Sequence, residues 1–209
     1  MRWLIAITLL LGVVTAAALS AVLPAGDRTF QAIVSPVHLL MSVTVPFTGV
    51  LLARDLRRSP VAARVGRTFL IGTLIAAGAG VFGDVVGAVA VAIAPHAADL
   101  WHGAGTVAVG GVLVQVLAQL VGIGMGLLLR PVAVACLATI VVPLGLWLLL
   151  GAVDALQPAR AWLTPFGSVQ NLLSGRMTAV AWAQWLVVLA LWGVGLNAAG
   201  LARLRRATT

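Results

Sequence analysis

The sequence contains no lysine, no glutamate and no tyrosine. A phosphate-binding loop of the Walker type needs its lysine, and the helical zinc-protease motif needs its glutamate. Nucleotide hydrolysis of that kind and that metalloprotease reaction therefore have no place in this chain, and any ATP that drives it is handled by another protein. Cysteine is nearly absent as well. Cys136 stands alone in an apolar run, so no intrachain disulfide forms and small-residue packing is its expected role. Charge is scarce too: 9% of residues are charged against 62% hydrophobic, with a mean hydropathy of +1.13. Those values lie outside the range of soluble domains, and the solvent they imply is lipid.

Most of the charge present is arginine, giving a formal net charge of +8. In a polar chain that excess would point to nucleic acid. Here the arginines sit in short clusters between apolar stretches instead of along one exposed face, and they read as a topology signal.

A span needs about 20 mainly apolar residues, because a helix rises about 1.5 Å per residue through a hydrocarbon layer about 30 Å thick. The fold class expected is all-α, with spans at about 3–23, 30–53, 68–94, 105–129, 132–153 and 179–202 of a single transmembrane domain, 1–209. Pro36 and Pro46 are expected to bend the second span. Only Arg130 and Pro131 separate the fourth from the fifth, which predicts a tight hairpin. The stretch from Asp154 to Thr178 contains Pro158, Pro165, Gly167 and Gly175 with Trp162 and Phe166, a mixture that fits short interfacial or re-entrant helices.

Basic residues near span ends stay in the cytoplasm. An inside N-terminus places Arg2, Arg54, Arg57, Arg58, Arg64, Arg67, Arg130, Arg203, Arg205 and Arg206 there, and leaves only Arg28, Arg160 and Arg176 outside. Both termini are then cytoplasmic, and the expected location is a multi-pass position in the cytoplasmic membrane of a bacterium. Arg2, the apolar run after it and the small residues Ala18 to Ala21 share features with a secretory signal, but the run is longer than a usual signal core and reads as a retained span.

Polar residues within spans are costly and therefore informative. His38 and Asp84 fall at similar depths, about 12–15 Å from the outer ends of the second and third spans. They are candidates for a facing pair. Such a pair is either structural or proton-linked, since imidazole is the side chain that ordinarily titrates near neutral pH. Gln115 and Gln119, four residues apart on the fourth span, share one helical face and either line a pathway or tie the span to a neighbour. Asn197 reads as a packing contact. Glycine pairs at Gly83 with Gly87, and at Gly122 with Gly126, let helices approach closely.

Two further groups require comment. His96, Asp99 and His102 are zinc-binding residue types around an outer turn, but the outer two diverge by about 120° in helical register, and no cofactor or metal is expected. No Gly-x-Ser-x-Gly turn supports nucleophilic catalysis, and no enzyme activity is expected of this chain alone. The segment RDLRRSPVAARVGR, from Arg54 to Arg67, carries five arginines and one aspartate around a Ser59-Pro60 helix start, which predicts a short helix over Val61 to Val65. It reads either as an ordinary positive-inside loop or as a surface that docks a partner through arginine–carboxylate pairs.

The six-span layout, this basic segment, the hairpin GMGLLLRPVAVA and the outer stretch TPFGSVQNLLSG together resemble a permease subunit of the type-2 ABC exporter family. The resemblance covers nearly the whole chain. It implies that Ser59 to Arg67 form a coupling helix resting on a separate ATP-binding subunit, with Asp55, Arg57, Arg58, Ser59, Arg64 and Arg67 at that contact. It also implies that two permeases, identical or different, pack around a central path, and that the stretch before the sixth span forms re-entrant outer helices. The expected function is export of a substrate powered by the partner ATPase, with lipid around the chain and no nucleic acid. Two other readings stand beside it: a proton-linked secondary carrier or channel using His38 and Asp84, and a membrane enzyme or assembly factor built on His96, Asp99 and His102.

Overall fold

In hydrocarbon every backbone N–H and C=O must be satisfied within the protein, so apolar stretches of this length fold as helices. The computed structural model describes residues 1–58, 62–93 and 99–206, and every regular element among them is helical. The chain runs through α1 (Arg2–Val22), α2 (Phe30–Arg58), α3 (Ala62–Ile93), α4 (Ala104–Leu128) and α5 (Val132–Gly151). Two short helices follow, α6 (Arg160–Leu163) and α7 (Pro165–Leu172), and then α8 (Ala179–Arg206), which contains a π-helical segment at Leu189–Gly195. The six long helices are each apolar and long enough to cross a membrane.

Hydropathy located the apolar parts of these helices, but two of them run further. α2 has 29 residues and α3 has 32, lengths of about 44 and 48 Å at 1.5 Å per residue. Both overrun a hydrocarbon layer of about 30 Å at the end where arginines gather. The expected short helix over Val61 to Val65 is not a separate element: from Ala62 onward the chain is already the first turns of α3. Ala, Arg and Val run into Thr68 with no proline, and Gly66 is carried within the helix. Ser59 and Pro60 lie outside the described residues.

α2 is the hub, packing on α1, α3, α4 and α5. Pro36 and Pro46 lie inside it without ending it. Both glycine pairs predicted to admit a neighbour admit α2. A Cβ at Gly83 would stand 2.9 Å from His38 Cε1, and one at Gly87 would overlap Val34. On α4, a Cβ at Gly122 would stand 2.7 Å from Pro46 Cα, and one at Gly126 would stand 2.8 Å from Val50 Cα. The contacts of Gly122 with Pro46 and of Gly126 with Val50 are with backbone, and they fix α2 against α4 more closely than any larger residue would allow.

The two ends of the bundle are tied differently. At one end Arg57 of α2 donates to the carbonyls of Leu129 (2.5 Å) and Arg130 (3.1 Å), and Arg203 of α8 donates to Leu128 O (2.7 Å). At the opposite end Phe30 N–H donates to Leu100 O (3.0 Å), and Ser35 Oγ donates to Leu173 O (3.0 Å). There Gly103 and Gly175, at φ of 66° and 70°, meet in a left-handed conformation that favours glycine.

The stretch between α5 and α8 packs against α4, α5 and α8. Thr164 caps α7, accepting the Gly167 N–H at 3.2 Å, and Pro165 occupies the first turn, where its missing N–H costs nothing. Val169, Leu172 and Leu173 pack on Val114 of α4. Trp192 Nε1 donates to Leu163 O at 2.9 Å, from a position about 20 Å along α8. Arg160 closes the far side: its guanidinium lies 3.9 Å from the Trp147 ring centroid, its Nε donates to Trp147 O (2.9 Å), and Phe166 meets Trp147 edge-on at 4.9 Å.

Candidate functional site

Three spans meet at a buried polar group that the sequence only half revealed. His38 of α2 is 0% exposed, and its Nε2 lies 2.8 Å from Asp84 Oδ1 of α3, whose side chain is 16% exposed. The pair inferred from depth alone therefore exists. The structure adds Gln115 of α4, whose Nε2 donates to His38 O (2.9 Å) and faces His38 Nδ1 at 3.3 Å. Because an amide nitrogen is only a donor, Nδ1 is assigned from this network as the acceptor, and the ring hydrogen sits on Nε2, aimed at Asp84. Glycine makes the site possible, since a Cβ at Gly111 would fall on the imidazole that fills that space.

Gln119 shares the Gln115 face but joins a different partner. With its nitrogen toward Val45 O and Thr48 Oγ1, both at 2.8 Å, its oxygen accepts from Gly49 N–H at 3.3 Å. The opposite orientation would aim the nitrogen at that N–H, so this one is correct. Both glutamines thus tie α4 to α2 instead of lining an open path. Gln115 Oε1 is buried without a partner. Replacing Gln115 by Leu leaves His38 Nδ1 without its donor, at a cost of about 1–3 kcal/mol, offset in part by loss of the unpaired oxygen. Thermal unfolding in detergent should show a net loss near the lower bound, and an unchanged midpoint would refute the bond.

A second feature has no counterpart in the sequence reading. A cavity of about 190 Å³ lies between α2, α4, α5 and α7, walled by Leu39, Pro46, Leu117, Thr139, Pro143 and Phe166. Its hydroxyls are already used: Ser42 Oγ donates to Leu39 O and Thr139 Oγ1 to Cys136 O, each at 2.7 Å. What remains is an apolar pocket. It sits where Val114 to Val121 pass, about 15–25 Å along α4 and thus near mid-depth.

The residues assigned to partner docking divide. Asp55, Arg58, Arg64 and Arg67 are exposed at the projecting ends of α2 and α3, whereas Arg57 is half-buried and turned onto the C-terminus of α4. Arginine at a helix C-terminus satisfies orphan carbonyls and opposes the dipole. Arg203 does the same for α4, Arg28 donates to Leu23 O (2.7 Å) at the end of α1, and Arg160 serves α5. Position within a turn of a span end was the available signal.

Asp99 Oδ2 and His102 Nδ1 come within 3.3 Å on an exposed turn, and His96 lies outside the described residues. Among the described residues no three His, Cys, Asp or Glu side chains group to hold a metal. Asn197 packs as expected, its Nδ2 donating to Leu120 O (2.9 Å) and Gly193 O (2.6 Å). The π segment beside it was not foreseen, and Gly193 and Gly195 were its only trace. No protein-family model, curated protein or solved structure matches the chain.

Proposed function

We propose that this protein is the membrane permease subunit of an exporter of the type-2 ABC class, with ATP hydrolysed on a separate subunit. The observation that carries this reading is the apolar cavity near mid-depth, closed on one side by the fold-back of α7 against α2, α4 and α5. A pocket walled almost wholly by apolar side chains suits an apolar or amphipathic cargo. The segment over it, held at the level of Trp192, is placed as a plug would be, and this supports reading α6 and α7 as re-entrant outer helices.

In this reading the arginine-rich end is cytoplasmic, both termini with it, in the cytoplasmic membrane. The overrunning ends of α2 and α3 carry exposed Arg58, Arg64 and Arg67 with Asp55, a surface on which an ATPase can rest. Rigid helices about 44 and 48 Å long transmit motion there to the walls of the cavity. Two such permeases, identical or different, complete the path. Charge reversal of Arg58, Arg64 and Arg67 to Glu is expected to cut co-purifying ATPase at least tenfold, and the purified chain alone to show no ATP hydrolysis. Retention of the ATPase on the triple variant would sink the docking assignment.

The 2.8 Å contact of His38 with Asp84, at mid-depth, favours a second reading, a proton-linked carrier or channel.

A further inference from the structure

Arginine at the projecting end is not uniformly spread. Arg57 and Arg203 converge from α2 and α8 on the carbonyls of Leu128, Leu129 and Arg130, which brings them to the turn that carries the Arg130 side chain. Arg54 lies one turn before Arg57 on the same face of α2. The partners they have are carbonyl oxygens, which carry partial charge only. Each guanidinium has five N–H donors; Arg57 uses two of them here and Arg203 one. Among the described residues the ion pairs His38–Asp84 and His102–Asp99 include none of Arg54, Arg57, Arg130 and Arg203. Asp55, the one carboxylate in this part of the chain, is exposed and within 4 Å of none of these four. Four positive charges thus crowd one helix end, close enough for Arg54, Arg130 and Arg203 to act on Arg57, with donors unused and no carboxylate of the described residues paired with them.

Like charges this close are unfavourable without a counter-anion, and the desolvating edge of a bilayer weakens the screening that water would supply. The cluster lies at the junction of α2, the α4–α5 turn and the end of α8, at the level where the apolar helices end. We infer that Arg54, Arg57, Arg130 and Arg203 form a binding site for the phosphate headgroup of an anionic phospholipid, held between the helices as a structural ligand. Arg57 and Arg203, anchored by their bonds to α4, are preorganised to offer their remaining donors to a phosphodiester oxygen pair. The acyl chains then lie along the exposed apolar faces of α5 and α8, where Leu137, Val141, Leu191 and Val194 face outward. Basic pockets between spans on the cytoplasmic side recognise anionic headgroups in this way.

The site is separate from the docking surface, so its test is separate too. Arg54→Gln with Arg130→Gln leaves both arginine caps on α4 in place and removes half of the positive charge. The control, Arg64→Gln with Arg67→Gln, removes as much charge from the exposed start of α3. Delipidated protein in neutral detergent is titrated with phosphatidylglycerol, phosphatidylcholine or inorganic phosphate, and bound lipid is counted by native mass spectrometry alongside the thermal midpoint. Phosphatidylglycerol is expected to bind the wild type and the control alike, and the Arg54/Arg130 variant at least tenfold more weakly, with phosphatidylcholine and inorganic phosphate giving little in any of them. The proposal is overturned if the Arg54/Arg130 variant keeps its phosphatidylglycerol within twofold, or if the control loses as much. It is overturned equally if phosphatidylcholine binds as tightly, or if inorganic phosphate raises the midpoint as far, which would mark a free-anion site. The readout involves no ATPase, so it stands or falls apart from the export reading.

Discussion

Gly122→Val is expected to cost about 3 kcal/mol or more, a large part of the stability of a domain this size. A Cβ at Gly122 would meet the backbone of Pro46, 2.7 Å from both its Cα and its carbonyl carbon. A side chain in the way can change rotamer, but a backbone inside a helix cannot, so α2 and α4 would have to separate. That separation breaks more than one contact, because a Cβ on the facing Gly49 would lie 2.7 Å from Gln119 O, and Thr48 beside it is bonded to the Gln119 amide. The matched control is Gly145→Val on α5, where a Cβ meets nothing within 4 Å. There a valine in place of glycine costs little and adds apolar surface toward lipid. Unfolding in detergent should therefore show a loss of the folded form, or a fall in midpoint of many degrees, for the first variant and almost no change for the second. Equal midpoints would mean that α2 and α4 are not in this register.

In the export reading that seam would serve function as well as stability. α2 carries His38, Pro46 and the wall of the cavity on its inner length, and Arg57 and Arg58 on its projecting end. In the export reading, force applied to exposed residues at the tip of α2 would pass along a helix held to α4 by the backbone contact of Gly122 with Pro46. Close-packed backbone transmits strain better than flexible side chains do. The π segment of α8 lies across from this, beside the Trp192 bond to Leu163, and a wider helical turn of that kind recurs at sites that adjust their shape.

Much of this was readable from residues. The six apolar stretches, the Arg130-Pro131 hairpin and the meeting of His38 with Asp84 follow from counting at 1.5 Å per residue and from the cost of a polar group in hydrocarbon. Gly83, Gly87, Gly122 and Gly126 announced close approach, but which helix approached was not in their spacing. Helix ends were less legible, because hydropathy marks where lipid stops and not where the backbone stops turning. Arg54 to Arg58 end the apolar run yet extend α2, since arginine is a good helix former. Gln115 and Gln119 looked like a matched pair on one face, and a single sequence cannot say that one goes to His38 and the other to Thr48. The apolar cavity left no trace, because an unfilled volume between four helices is a property of packing and not of any residue.

The sharpest functional question rests on the His38–Asp84 pair, and the size of its contribution decides it. An ordinary interhelical hydrogen bond in a membrane protein is worth about 0.6 kcal/mol, whereas leaving a buried polar group unpaired costs about 1–3 kcal/mol, and more where that group is charged. His38→Leu is expected to fall in the second range, because it strands the Asp84 carboxylate among helices that offer it no other described ion-pair partner. Asp84→Leu alone strands only the Nε2–H of an imidazole whose Nδ1 keeps its bond from Gln115, a smaller loss. The double variant should recover most of the His38→Leu loss, since replacing both members with apolar residues of similar volume is often neutral. In the export reading the pair serves to hold α2 against α3, and transport powered by a separate ATPase should then survive in the double variant. A proton-linked carrier predicts the contrary: a stable double variant, and equally Asp84→Asn, that no longer transports under a pH gradient in liposomes free of ATPase. Folded protein without gradient-driven activity, where the wild type has it, would move the assignment from exporter to carrier.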